Sequence, residues 1–171
     1  MLTRIDHVGI ACRDLESTVE KYCSVFGLTV VSREVIEEQG VREAMLLVAT
    51  VEAGTGGEAG TGGEAGTGAG TGAQGSPGGV PGASYIQLLE PLSADTPVGK
   101  FLARRGEGIH HIGYAVDNVR SALAEVGGTG VRLIDERPRH GSLGASIAFL
   151  HPADLGGVLT ELVEPKRPQD G

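Results

Sequence analysis

Two strand-like runs in this chain each carry a histidine in the same company. Ile5-Asp-His-Val-Gly-Ile-Ala11 and Gly108-Ile-His-His-Ile-Gly-Tyr-Ala-Val116 overlay so that His111 falls on His7, Gly113 on Gly9 and Ala115 on Ala11. Two later runs overlay as well, Tyr85-Ile-Gln-Leu-Leu-Glu-Pro91 against Leu159-Thr-Glu-Leu-Val-Glu-Pro165, which sets Gln87 on Glu161. His7 and Gln87 stand 80 positions apart and His111 and Glu161 stand 50 apart. Removing the roughly 32 residues of a Gly-rich stretch brings the two spacings together, as a duplicated unit requires. Two imidazoles, one carboxylate and one amide oxygen suit a divalent first-row metal of intermediate hardness. Four protein donors leave two octahedral positions for water or a chelating ligand. With neutral His and Gln and an ionised Glu161, a +2 ion leaves about one positive charge, which attracts an anionic ligand and stabilises a developing oxyanion. Taken singly, a strand His, Gln or Glu is more often core or surface than ligand. The coincidence of all four in the overlay carries the metal assignment to His7, Gln87, His111 and Glu161.

The elements that must position them repeat too. Residues 4–11 alternate as a strand, with His7, Gly9 and Ala11 on one face and Asp6, Val8 and Ile10 on the other. By the same rule His111 shares a face with Gly113 and Ala115, while His110 takes the Asp6 position, points away and is structural. Asp14 is an N-cap for a helix with Leu15, Val19, Tyr22, Cys23 and Phe26 on its buried stripe, stopped by Gly27. Strands are predicted over 28–35, 41–50 and 84–90, and a helix from Asp95-Thr96-Pro97 to Arg105. After the opening strand 109–116, a helix runs through Val119, Leu123 and Val126 to Gly127-Gly128, with strands around 131–135, 145–150 and 158–163. The expected fold is α+β: two tandem βαβββ modules, residues 3–92 and 108–165, joined by a linking helix (93–107) into one domain (1–171) around one metal cavity.

Between about 51 and 82 the composition changes to Gly, Thr, Ala and Glu, with Gly-Thr-Gly-Gly-Glu-Ala nearly repeated. Such a segment cannot bury a core and reads as a flexible, solvated hairpin-loop insertion. It lacks the Gly-Lys-Ser/Thr ending and following helix of a phosphate cradle. With 171 residues, 40% of them apolar, the chain can build a core, and a net charge of −8 argues against nucleic-acid and membrane surfaces. No stretch approaches a spanning helix and no signal peptide is visible, so a cytoplasmic location is expected. Cys12 and Cys23 read as small buried hydrophobes.

The opening strands, with Glu37-Glu-Gln-Gly-Val-Arg-Glu-Ala-Met45 and Phe149-Leu-His-Pro152…Gly157-Val-Leu-Thr-Glu-Leu162, make the chain resemble the methylmalonyl-CoA epimerases. These belong to the vicinal oxygen chelate superfamily alongside glyoxalase I. The likeness spans roughly residues 3–50 and 83–165, and the Gly-rich insert departs from the family pattern. The resemblance implies the same four metal ligands, Glu43 and Glu161 as the acid/base pair, and Co²⁺ as the ion, with Mn²⁺, Mg²⁺, Ni²⁺ or Zn²⁺ as alternatives. It also implies a homodimer and methylmalonyl-CoA as substrate, its (2R) and (2S) forms interconverted through a metal-stabilised enolate. The phosphates of CoA call for cations near the cavity, for which Lys100, Arg104, Arg105, Arg137, Arg139 and His140 are candidates by composition. Alternative readings are a glyoxalase I-like lactoylglutathione lyase, a non-catalytic small-molecule-binding protein of the superfamily, and an iron dioxygenase.

Overall fold

The computed structural model describes residues 1–50 and 82–166. The Gly-rich stretch expected to be a flexible loop lies outside the described residues. Among the described residues, eight strands form one curled mixed sheet in the order β2-β3-β4-β1-β5-β8-β7-β6. In chain order they are β1 (Leu2–Ala11), β2 (Thr29–Ile36), β3 (Val41–Thr50), β4 (Ala83–Pro91), β5 (Gly108–Val116), β6 (Arg139–His140), β7 (Ser146–Leu150) and β8 (Thr160–Glu164). The helices are α1 (Leu15–Phe26), α2 (Pro97–Arg105) and α3 (Val119–Gly127). The order is symmetric about the β1–β5 junction. β1 pairs parallel with β4 as β5 does with β8, and β1 and β5 run antiparallel to each other.

The strands that carry the site alternate with period two. On β3, β4, β7 and β8 the residues Ala44, Leu46, Leu88, Ala148, Leu150 and Leu162 face α1 or α3 and build two apolar cores. Glu43, Met45, Gln87, Ile147, Phe149 and Glu161 therefore face the other side. α2 closes one end of that second side, packing Val98 and Leu102 on Ala11, Val41 and Leu89. Cys12 and Cys23 join the α1 core as free thiols, and burial pushes the Cys12 thiol up to about 11. No helix among the described residues is long and apolar enough to cross a membrane.

The helix starts match the sequence. Asp14 caps α1 by accepting from Ser17 N at 2.9 Å, and Gly27 ends it at φ 67°. Asp14→Ala is expected to cost about 1 kcal/mol and lower Tm by about 2–4 °C, with ion binding unchanged; a thermal melt checks it. The ends of β4 and β8 repeat a second device. Glu90 accepts from Leu15 N at 2.7 Å and Glu164 from Val119 N at 2.9 Å, so each module's last strand satisfies the first amide of its own helix.

One predicted strand is corrected. Residues 131–135 contribute a single bridge, Leu133 to Leu150, and the edge beyond β7 is the two-residue β6 instead. The cause is local. Phe149 N donates to the Asp135 side chain at 2.9 Å, so a carboxylate occupies a donor that a ladder would use. Val131 and Leu133 turn into the α3 core.

Candidate active site

Glu43, Gln87, His7, His111 and Glu161 sit on five adjacent strands, β3, β4, β1, β5 and β8. The register sets four of them in two level rows. Gln87, Gly9 and His111 line up across β4, β1 and β5, while His7, Gly113 and Glu161 line up across β1, β5 and β8. A glycine stands in the middle of each row for a steric reason. A Cβ on Gly9 would overlap the His111 ring, and one on Gly113 would overlap the His7 ring. Each imidazole thus lies over the backbone of the opposite strand. Gly113→Ala is expected to drive the His7 ring away from Glu161 and weaken divalent-ion binding on the order of 10–100-fold, which a Co²⁺ titration reads.

The structure brings together three of the four expected ligands at donor distance. His7 Nε2 lies 2.9 Å from His111 Nε2 and 2.8 Å from Glu161 Oε2, and His111 Nε2 lies 3.4 Å from that same oxygen. Gln87 stands beside them, and its amide nitrogen is turned away. Nε2 donates to Glu43 Oε2 and to Ser142 Oγ, both at 2.8 Å, which leaves Oε1 as the free acceptor. Gln87 Oε1, Glu43 Oε1 and Glu161 Oε2 are all buried without a hydrogen-bond partner; the Glu161 oxygen is near the imidazoles in distance but not aligned for a hydrogen bond. Orphaned buried oxygens are costly, and a carboxylate oxygen within 3.4 Å of two imidazole Nε2 atoms forms a donor set that fits a cation. The spacing fits too, since neighbouring donors bound at about 2.1 Å around an octahedral ion sit about 3 Å apart.

None of Asp6, His7, Glu43, Gln87, His111 and Glu161 is more than 5% exposed. Burial works against a charged His7, but the carboxylates of Glu161 and Asp6 outweigh it and raise His7 to about 10. Burial likewise opposes an ionised Glu161, and the two histidines outweigh it, holding Glu161 at about 2. Glu43 lacks such partners. Burial lifts it to about 7, with Ser142 and His7 pulling down and Glu34 and Glu161 pushing up. Burial lowers His111, with the Glu161 carboxylate offsetting part of the effect.

Three neighbours of the site do not emerge from the sequence pattern. Asp6 and His110 do not point away. His7 Nδ1 lies 3.1 Å from Asp6 Oδ1, and the Nδ1 atoms of His110 and His111 are 3.0 Å apart. Strict alternation hides both, because each strand is irregular there. Ser142 belongs to a short turn, Ser142–Gly144, that carries no periodic signal. That turn follows β6 at one edge of the sheet and reaches β2 at the other, where Leu143 N donates to Glu34 Oε1 at 3.0 Å. Leu143 has φ 55°, a left-handed conformation that a branched side chain adopts at a cost.

Two cavities flank the histidines. The larger, about 190 Å³, is lined by His110, His111, Leu89, Val98, Arg139 and Phe149 among others. The smaller, about 30 Å³, lies beside His7, Glu161, Met45 and Leu143, with Arg4 and Lys166 at its wall. Of the cations proposed for phosphates, Arg139 lines the larger cavity, its guanidinium 5.8 Å from the Phe149 ring centre.

Residues 4–162 match the family model described as Glyoxalase/Bleomycin resistance protein/Dioxygenase superfamily. The chain is similar to a methylmalonyl-CoA epimerase solved in complex with methylmalonyl-CoA and NH4+, with 47% identity, 95% of this chain and 94% of that one covered, and a TM-score of 0.77. It is similar as well to a variant of the Streptomyces coelicolor methylmalonyl-CoA epimerase in complex with 2-nitronate-propionyl-CoA (45% identity, 95% and 97% covered, TM-score 0.77). With the mitochondrial methylmalonyl-CoA epimerase of Homo sapiens it shares 30% of 162 residues, covering 94% of this chain and 73% of that protein.

Proposed function

Since the chain belongs to the Glyoxalase/Bleomycin resistance protein/Dioxygenase superfamily and, within it, to the methylmalonyl-CoA epimerases, we propose that it interconverts (2R)- and (2S)-methylmalonyl-CoA by moving the α-proton. One observation carries the chemistry: two buried carboxylates of opposite character, Glu43 and Glu161, end a row of site residues that spans five strands of a curled sheet. Epimerisation needs a proton removed from one face of the α-carbon and delivered to the other. Groups at the two ends of such a row approach a bound ligand from different sides.

Glu43 is the first acid/base group. Its carboxyl titrates near neutrality because it is buried, so it takes and returns a proton without a large driving-force penalty. Gln87 Nε2 holds its Oε2, which leaves Oε1 to face the substrate. Glu161 is the second group; as a metal ligand it is a poor base unless it loosens from the ion during turnover. His7, Gln87, His111 and Glu161 hold the divalent ion. When bound, that ion supplies a fixed positive charge that polarises the substrate's carbonyl oxygens. Leu89, Val98 and Phe149 give the larger cavity an apolar wall. At about 30 Å³ per water, that cavity suits a malonyl-sized acyl group, and the nucleotide end of CoA lies outside it.

The same reading takes Co²⁺ as the ion, with Mn²⁺, Mg²⁺, Ni²⁺ or Zn²⁺ as alternatives, a homodimer as the assembly and the cytoplasm as the compartment. The family likeness and, for the compartment, the composition support these. The test is ¹H NMR in D₂O with (2R)- or (2S)-methylmalonyl-CoA and a metal series. Deuterium entry at the α-carbon with loss of configuration is expected; no exchange with any of these ions would end the proposal.

A further inference from the structure

We infer that Asp6 and His110 are a matched pair of positioning residues: each is the extra residue of a β-bulge, and each holds by Nδ1 the imidazole that follows it. The inference rests on the reading of His7 and His111 as metal ligands. Where β1 meets β5, Ile5 pairs with Tyr114 and the next pair is His7 with Gly113, so Asp6 is skipped. On the other strand Gly9 pairs with His111 and Ile10 with Ile109, so His110 is skipped. In the overlay of the two halves these are the same position. In a regular ladder that position faces the helices. The bulge turns it to the side of the histidine, as bulges re-aim side chains elsewhere.

The proton positions follow from the donors. If Nε2 of each histidine gives its lone pair to the ion, Nδ1 must carry the ring proton and needs an acceptor. Asp6 Oδ1, 3.1 Å from His7 Nδ1, is one such acceptor. His110 Nδ1, 3.0 Å from His111 Nδ1, serves only with its own lone pair free, so His110 must be neutral with its proton on Nε2. A third group steadies each: Arg4 Nη1 lies 2.8 Å from Asp6 Oδ2, and Phe101 of α2 packs edge-on to His110 at 5.0 Å. The pair is alike in place and unlike in charge. His7 is backed by an anion and His111 by a neutral ring.

The test uses the full chain titrated with Co²⁺ and followed by visible absorption. His110→Leu is expected to weaken binding on the order of 10–100-fold, the usual cost of losing an outer partner of a ligating histidine. His110→Asn sets an amide oxygen where Nδ1 stood and is expected to restore affinity to within about threefold of wild type. Asp6→Asn keeps an acceptor but loses the charge, and falls between Asp6→Leu and wild type. ¹⁵N NMR of the Zn²⁺-loaded wild type is expected to show His110 protonated at Nε2 alone. His110→Leu binding like wild type, His110→Asn as weak as His110→Leu, or His110 protonated at Nδ1 would each overturn the inference. A wild type that epimerises yet takes up no Co²⁺ overturns it while the activity stands. A chain that binds Co²⁺ with this pattern but exchanges no α-proton keeps it while the activity falls.

Discussion

The Glu43→Gln protein is expected to fold and to lose epimerisation by on the order of 10³-fold, with exchange at one face of the α-carbon retained. Gln fills the same buried volume on β3, and its amide oxygen can still accept from Gln87 Nε2, so packing survives. What disappears is a group able to take a proton near pH 7. A molecule that enters with its α-proton toward Glu161 should still wash that proton into D₂O and keep its configuration. Full epimerisation by the variant would sink the two-base reading. The wild-type kcat/KM should fall as pH rises through the Glu43 value, at or below about 7 because a nearby divalent ion favours the ionised form, since transfer across the α-carbon needs one of Glu43 and Glu161 protonated while the other is ionised. Stability makes a useful control, and its sign is fixed. The folded carboxyl titrates above its ordinary value, so its contribution is full below about 4.5 and is lost as pH rises through about 7. Gln has no such dependence, and at pH 8 the variant should melt no lower than the wild type.

Removing the ion is expected to cost a similar factor, on the order of 10³ in rate, from the several kcal/mol that a bound cation contributes to charge stabilisation. Dialysis against a chelator and return of Co²⁺ should abolish and then restore exchange. The stripped protein should stay folded, because His7 and Glu161 compensate each other. His7 is held up at about 10 and Glu161 down at about 2, so without the ion the site holds an imidazolium against a carboxylate. The pair's contribution is full between the ordinary values of 4.5 and 6.5. It is lost as pH falls through about 2 or rises through about 10. Ion uptake must then expel the His7 proton. Between pH 7 and 9 the apparent Kd is expected to tighten by about tenfold per pH unit. Calorimetry in buffers of different ionisation enthalpy counts the proton released; a count of zero contradicts the linkage.

The overlay of two stretches of one chain made His7, Gln87, His111 and Glu161 legible, because a duplicated pattern constrains both copies at once. The helices were legible from caps and stops: Asp14, Gly27 and Thr96-Pro97 act where their chemistry requires. Asp6 and His110 were misassigned because a bulge breaks period two without leaving a mark in composition. The strand expected over 131–135 failed because apolar alternation says nothing of which neighbour a backbone will find, and Asp135 satisfies Phe149 N by its side chain. Ser142 was out of reach for the same reason as most loop residues. Its place depends on a turn that crosses from one sheet edge to the other, which is a long-range fact.

The two glycine cradles have a genetic consequence. Space for the ring of His7 is granted by residue 113, and space for the ring of His111 by residue 9. The two copies of the motif therefore cannot drift independently after a duplication. A larger residue at 113 displaces the His7 ring and a larger one at 9 displaces the His111 ring, so a change in one half of the chain falls on the ligand of the other. The two imidazole seats are reciprocal, 7 with 113 and 9 with 111, so each half of the chain holds open the place of the other half's ligand.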